Sequence, residues 1–282
     1  MRGSLKNFIL TGIFVVWATL AANAQTMSGM MIYGVTTTGE LVSFSSSKPG
    51  KLIKTPKISG MLSSEKLVGI DFRPSNKMLY GVTNQNRIYT INTATGAATS
   101  VGTLTTPLGG SDYGIDFNPV PDRLRITNDA EQNLRANPAD ATNVTDKSLI
   151  FNAADANNGK NPNVVASAYT NNFAGAKATM LYNIDSTLDV LLTQNPPNDG
   201  VLNAVGKLGV NITVNAGFDI VSRNDNNMAF AALQVEGEKT SKLYSINLAN
   251  GAATLIGKIG AKNPLVGLTV NLDGAMSKIA SG

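Results

Sequence analysis

Cysteine and histidine are both missing from the 282 residues of this chain, and tryptophan occurs once, at Trp17. Without cysteine there is no disulfide, no catalytic thiol, no iron–sulfur cluster and no thiolate-ligated zinc. Without histidine there is no Ser-His-Asp triad, no imidazole-bound metal and no imidazole proton shuttle. Chemistry must therefore rest on carboxylates, hydroxyls, Lys, Arg, Asn or the backbone. Charge is scarce as well. Charged residues make up 15% of the chain, against roughly 25% in ordinary soluble domains. Lys and Arg form no run interleaved with aromatics, so a nucleic-acid partner is not expected.

The one long apolar run lies at the start. Arg2 and Lys6 precede Phe8–Leu20, and Ala21-Ala-Asn-Ala24 follows with small residues ahead of Gln25. This three-part pattern predicts a signal peptide over residues 1–24. The run of 13 residues is short of the ~18 that suggest a membrane-spanning helix. Cleavage would leave 258 residues with 21 basic and 19 acidic side chains and no tryptophan. The expected destination is the periplasm or the exterior of a bacterial cell, with no membrane span after cleavage. The remainder, residues 25–282, is expected to form one domain.

Glycine, Asn, Thr and Ser are plentiful, and they fall into a repeat. Residues 69–102 read GIDFRPSNKMLYGVTNQNRIYTINTATGAATSVG, and GIDF returns at Gly114. The segment 217–257 opens on GFDI and ends on KLYSINLANGAATLIG, a near copy of RIYTINTATGAATSVG. A weaker unit begins at Ala166, and Gly267 opens a last short strand. The opening positions 69, 114, 166, 217 and 267 are 45, 52, 51 and 50 residues apart. Each full unit parses as four short strands with period-two alternation and Gly, Asn or Pro turns. A four-stranded antiparallel sheet repeated every ~50 residues describes a β-propeller blade. The first unit, 31–58, lacks an opening strand, and residues 266–270 supply one with no blade after it. The expected fold is all-β: a five-bladed propeller of four-stranded blades (31–58 plus 266–270, 69–102, 114–149, 166–210 and 217–257). Its ring closes when the C-terminal strand pairs into the first blade. A β-sandwich with duplicated hairpins is the alternative.

The phrases GIDFRP…LYGVT and YGIDFNPVPDRLRITND…QNLRANP, together with RIYTINTATGAATSVG, resemble the bacterial secreted domain-of-unknown-function family numbered 4394. The resemblance covers about residues 30–270, and Gly114–Pro138 is its most specific part. It implies a secreted, propeller-like domain and brings no activity or catalytic residue with it.

Asp71, Asp116 and Asp219 occupy one position in three opening strands, where the other two carry Ala168 and Thr269. Innermost strands are expected to line a central channel, so these carboxylates would converge near its axis. They could accept backbone N–H bonds from the turn that follows, hold Ca²⁺ as hard oxygen ligands, or hydrolyse a glycosidic bond as an acid–base pair. The unit opening at Gly114 concentrates charge in Asp122, Arg123, Arg125, Asp129, Glu131 and Arg135. Arg123 and Arg125 are two apart on one strand and so share a face. They could grip a carboxylate or phosphate together, or brace their blade through an Arg–Asp network. The Asn-rich stretch 152–164 is either a solvated connection or a lid over one mouth of the ring.

These features predict an exported bacterial propeller that binds an envelope or extracellular protein or glycan through loops on one face, without a cofactor. The alternative is a cation-supported, glycosidase-like hydrolase built on the axial carboxylates.

Overall fold

A computed structural model describes residues 29–53, 55–223 and 226–272, and the leader expected over residues 1–24 lies outside them. No helix among the described residues is long and apolar enough to cross a membrane.

Five small sheets stand around one axis, each presenting one edge strand inward. The first blade holds β1 (Met31–Thr36), β2 (Leu41–Ser45) and β3 (Lys48–Ile53), with β21 (Leu265–Val270) as its innermost strand. The second runs through β4 (Leu67–Phe72), β5 (Leu79–Thr83), β6 (Arg87–Ile91) and β7 (Ala98–Thr103). The third comprises β8 (Tyr113–Asn118), β9 (Arg123–Asn128), β10 (Asn133–Ala136) and β11 (Asn143–Thr145). A two-residue strand, β12 (Ile150–Phe151), then adds in parallel to the outer edge of the fourth blade. That blade holds β13 (Val164–Tyr169), β14 (Leu181–Asp185), β15 (Val190–Gln194) and β16 (Val201–Lys207). The fifth holds β17 (Ile212–Arg223), β18 (Asn226–Val235), β19 (Lys242–Ile246) and β20 (Ala253–Lys258). The chain is thus the expected five-bladed propeller.

Local sequence dictates the outer hairpins. In the two near-copied phrases, Asn92 and Asn247 turn their side-chain oxygens back to the amides two residues on, Ala94 and Ala249 (both 2.9 Å). Gly96 and Gly251 then take positive φ (77° and 82°) and donate their amides to the carbonyls of those same asparagines. This is an Asx turn closed by a residue that tolerates left-handed backbone.

Packing lies mostly between blades, although Val164, Val190, Leu192 and Leu202 of the fourth also cluster with Leu149 and Phe151 at its outer edge. Val35, Leu41, Leu67, Ile70 and Leu79 fill the wedge between the first two blades, and Tyr80, Val82, Phe117, Leu124 and Ile126 fill the next. Similar apolar wedges separate the fourth blade from the fifth and the fifth from the first. A single blade cannot cover both faces of its sheet, so the wedges hold only once the ring is complete.

Closure is made by β21, antiparallel to β1 with Ile32 opposite Val270 and Gly34 opposite Leu268. At the axis the inner strands pack too closely for a channel. A Cβ at Gly217 would lie 2.5 Å from the carbonyl carbon of Gly267, and one at Gly267 would lie 3.1 Å from Cα of Gly69. Only about 10 Å³ of space remains among these strands. The open channel expected from the sequence is absent because glycine at the start of the repeat lets neighbouring backbones meet.

A chain truncated after Pro264 is expected to aggregate or unfold, since β1 is left as an unpaired edge and its wedge loses Leu265, Leu268 and Val270. Size-exclusion chromatography and circular dichroism read the outcome. A soluble monomer of unchanged thermal stability would show that closure is dispensable.

Candidate functional site

Along four of the five inner strands, the third residue of the repeat motif reaches toward the next blade. The Phe117 amide donates to Asp71 Oδ2 (2.8 Å), the Tyr169 amide to Asp116 Oδ1 (3.2 Å) and the Val270 amide to Asp219 Oδ2 (2.6 Å). The Phe72 amide donates to Thr269 Oγ1 (3.3 Å). Four of the five junctions at the axis are therefore bridged from side chain to backbone. Ala168 has no acceptor, and at that junction the Ile220 amide bonds to Asp219 Oδ1 of its own blade (2.6 Å). The partner amides lie on the adjacent inner strand or on the next residue, not in the turn that follows as the sequence suggested. An inner strand is a sheet edge with unpaired N–H groups, and the repeated carboxylate satisfies them where water cannot.

The bridging collects like charges. Oxygens of Asp71, Asp116 and Asp219 all lie within 4.8 Å of one another, and each residue is at most 4% exposed. The Thr269 hydroxyl sits between Asp71 Oδ1 (2.8 Å) and Asp219 Oδ2 (3.2 Å). Burial, followed by repulsion from Asp219, pushes Asp71 well above the ordinary carboxylate range. Burial, with Asp71 and Asp219 adding to it, does the same to Asp116. Burial raises Asp219 to about 6 against the opposing pull of the Val270 and Ile220 amides. Shared protons or a hard cation such as Ca²⁺ would each relieve this repulsion. As donors the carboxylates suit such a cation in type, although the oxygens of Asp71 and Asp219 already accept amide hydrogens.

The structure separates the two arginines proposed to act as a pair. Arg123 is exposed and donates to the carbonyls of Pro121 and Asp122. Arg125 is 1% exposed, and every nitrogen of its guanidinium is engaged. It reaches Tyr169 Oη (3.2 Å), Asn133 Oδ1 (2.7 Å), Asp146 Oδ2 (2.7 Å) and Asn198 Oδ1 (2.8 Å). Asp146 is in turn clamped by Arg135 (2.6 and 2.8 Å). Burial raises the Asp146 pKa, and the hydrogen bonds from Arg135 and Arg125 outweigh it to hold the group below its ordinary value. Arg125 is thus a brace between the third and fourth blades and is closed to a ligand. The Asn-rich stretch leads from the outer edge of the fourth blade to the start of β13, tied down by Asp155 to the Ala204 amide (2.6 Å) and by the Asn163 amide to Asp185 (2.8 Å).

A hollow of about 180 Å³ opens where the five inner strands begin. It is lined by Val68, Tyr113, Val165, Val214 and Val266, with Lys66, Asn84 and Asp112 at its polar edge. Bulges shape it. Pairing skips Val68 between Leu67 and Gly69, Val165 between Val164 and Ala166, and Val266 between Leu265 and Gly267. In β17 the skipped stretch between Ile212 and Ala216 contains Val214. An unpaired bulge residue re-aims its side chain, and here apolar side chains come to the axial mouth. These residues were not singled out from the sequence. Their signal was the apolar residue immediately before the motif in Val68-Gly69, Tyr113-Gly114, Val165-Ala166 and Val266-Gly267. Asp112 stands where the other units carry Leu67, Val164, Asn215 and Leu265.

Residues 40–269 match the family described as a domain of unknown function, DUF4394. No curated protein matches the chain. Among solved structures, a Bacteroides thetaiotaomicron protein of unknown function is similar at 14% identity, with a TM-score of 0.51, over 81% of this chain and 58% of that one. An auxiliary nutrient binding protein from Bacteroides ovatus aligns at 14% identity and TM-score 0.40, over 71% of this chain and 55% of that one. Myxococcus xanthus glutaminyl cyclase aligns at 12% identity and TM-score 0.43, over 77% and 95%. The chain spans little more than half the length of the two Bacteroides proteins. At 14% identity, the first of these likenesses is one of fold alone.

Two outcomes follow from the buried groups. A carboxyl whose folded pKa lies above its unfolded value gives stability that is present at low pH and lost as pH rises through the folded value. For Asp219 that loss spans from near 3.8 to about 6, and Asp71 and Asp116 act in the same direction. Asp122 and Asp146, both lowered, lose their contributions only in stronger acid. Thermal melts should therefore peak near about pH 4 and decline as pH rises through about 6, and Asp219→Asn should flatten the decline. Millimolar Ca²⁺ that restores stability at high pH identifies a cation in place of the protons, whereas indifference to Ca²⁺ and EDTA removes the cation. Separately, Arg125→Ala should cost about 3–5 kcal/mol by stranding buried partners, while Arg123→Ala should stay within roughly 0.5 kcal/mol. Equal costs in urea denaturation would contradict the brace.

Proposed function

The chain belongs to the DUF4394 family, and we propose that it acts as an exported binding module, a rigid ring that receives its ligand at the axial mouth. One observation carries the reading: all five inner strands contribute to a single apolar-floored hollow with polar groups along one edge. Binding sites are typically concave and mostly apolar, with a few polar groups that fix orientation. The axis beneath is packed shut, so the hollow is a blind pocket with a firm floor. Its edge is held in place, since the Lys66 amide donates to Asn84 Oδ1 (2.8 Å) and the Asn84 amide donates to the Lys66 carbonyl (3.0 Å). Export rests on the Arg2–Ala24 pattern, and the partner class is a protein or glycan of the cell envelope.

Hydrolysis by the axial carboxylates is the weaker reading. Asp71, Asp116 and Asp219 are at most 4% exposed, and each accepts backbone amides. A glycosidase needs its carboxyl groups on either side of a reachable bond.

Saturation-transfer NMR against panels of short peptides and oligosaccharides tests the proposal, with Val214→Trp as a plug for the hollow. Val214 is 40% exposed at the mouth, so the larger side chain can fill the pocket without entering a packed wedge. A ligand found by the screen should bind at least about tenfold more weakly to the plugged variant, a loss of ~1.4 kcal/mol. Binding that ignores the plug would move the site elsewhere. Turnover of a sugar that is lost in Asp71→Asn would favour the hydrolase.

A further inference from the structure

Asp112 stands at the edge of this hollow, and no hydrogen bond or ion pair reaches its carboxylate among the described residues. Its surroundings are held by other means. Asp129 Oδ1 accepts the amides of Ser111 (2.8 Å) and Asp112 (3.2 Å), and the Asp129 amide donates back to the Asp112 carbonyl (3.2 Å). The backbone at Asp112 is therefore fixed while its side chain is unmatched. Lys66 lines the same hollow but is exposed and makes no ion pair with Asp112. Tyr113 turns its hydroxyl away, donating to the Gly110 carbonyl (3.0 Å). A half-buried carboxylate beside apolar surface, with a second carboxylate near it, is poised to pair with a cation.

The floor defines the rest of the ligand. An apolar cavity of about 150 Å³ accepts a benzene-sized group, and this one measures about 180 Å³. Hydroxyls buried against valines would lack partners, so the floor suits a hydrocarbon side chain better than a sugar ring.

Taking the axial mouth as the binding site, we propose that it receives the free amino terminus of a peptide whose first residue is apolar. The ammonium pairs with the Asp112 carboxylate. The side chain lies over Val68, Val165, Val214 and Val266, and the peptide leaves through the open side of the mouth. The inference rests on the pocket reading above and narrows its ligand class.

Amide-resolved NMR titrations of the folded protein with Leu-Gly-Gly, its N-acetylated form and glucosamine test it, on the wild type and on Asp112→Asn. Leu-Gly-Gly is expected to shift the amides of Asp112, Tyr113 and Val214 saturably. Acetylation of the peptide, or the nearly isosteric Asp112→Asn change, should each weaken binding at least about tenfold. Equal binding of the acetylated peptide overturns the ammonium pairing and leaves the pocket standing. Shifts with glucosamine alone also keep the pocket but overturn the peptide. No shift at these amides with any of the three ligands overturns both the pairing and the site.

Discussion

Everything in this ring depends on how five sheet edges meet at one axis. An inner strand pairs on one side only, and its other side faces four equivalent strands with only about 10 Å³ of space between them. Two devices make that meeting tolerable. Glycine at the start of the motif removes the side chain where backbones would collide, and an Asp or Thr two residues later accepts an amide from the neighbouring strand. The second device has an electrostatic cost. Each carboxylate is placed for its own junction, yet together they bring three acidic groups within 4.8 Å. Burial raises the pKa of all three, and repulsion among them adds to the shift at Asp71 and Asp116.

The junction between the third and fourth blades is built differently. Elsewhere an apolar wedge fills the gap. Here a polar chain runs from Thr127 through Ser167, Asn183 and Gln194 to Asn133, Arg125 and Asp146. Such a network stabilises only when every member is satisfied, and Arg125 meets that condition through four partners. It also gives the ring one distinctive junction, next to the one where Ala168 interrupts the carboxylate pattern. The charge that the sequence concentrates between Asp122 and Arg135 is thereby mostly structural. Arg73 and Asp122 tie the second blade to the third, and Arg125 and Arg135 converge on Asp146.

The same crowding that closes the axis opens the hollow at one end of it. Inner strands that touch at their glycines must diverge before them, and bulges at that level turn Val68, Val165 and Val266 toward the space between. A blind, apolar, five-walled pocket is therefore a by-product of closure. Asp112, which breaks the repeat at its rim, and Lys66 beside it give that pocket its chemical character.

The repeat, its ~50-residue spacing and the orphan strand at the C-terminus determined the five-bladed ring, because period-two alternation and turn chemistry are local properties of the chain. The glycine that closes each outer hairpin turn was legible for the same reason. The recurrence of Asp71, Asp116 and Asp219 was also visible, and with it their meeting near the axis. What each contacts was not, since the amides they accept belong to strands some 50 residues away and to a register that only closure sets. The pairing proposed for Arg123 and Arg125 was correct in periodicity but wrong in environment. Strand alternation places both on one face, and only the neighbouring blade decides that one is exposed while the other is sealed against Tyr169. The mouth was invisible for a related reason. A bulge is one unpaired residue defined by its partner strand, and a pocket is the gap left among five such strands once they have packed.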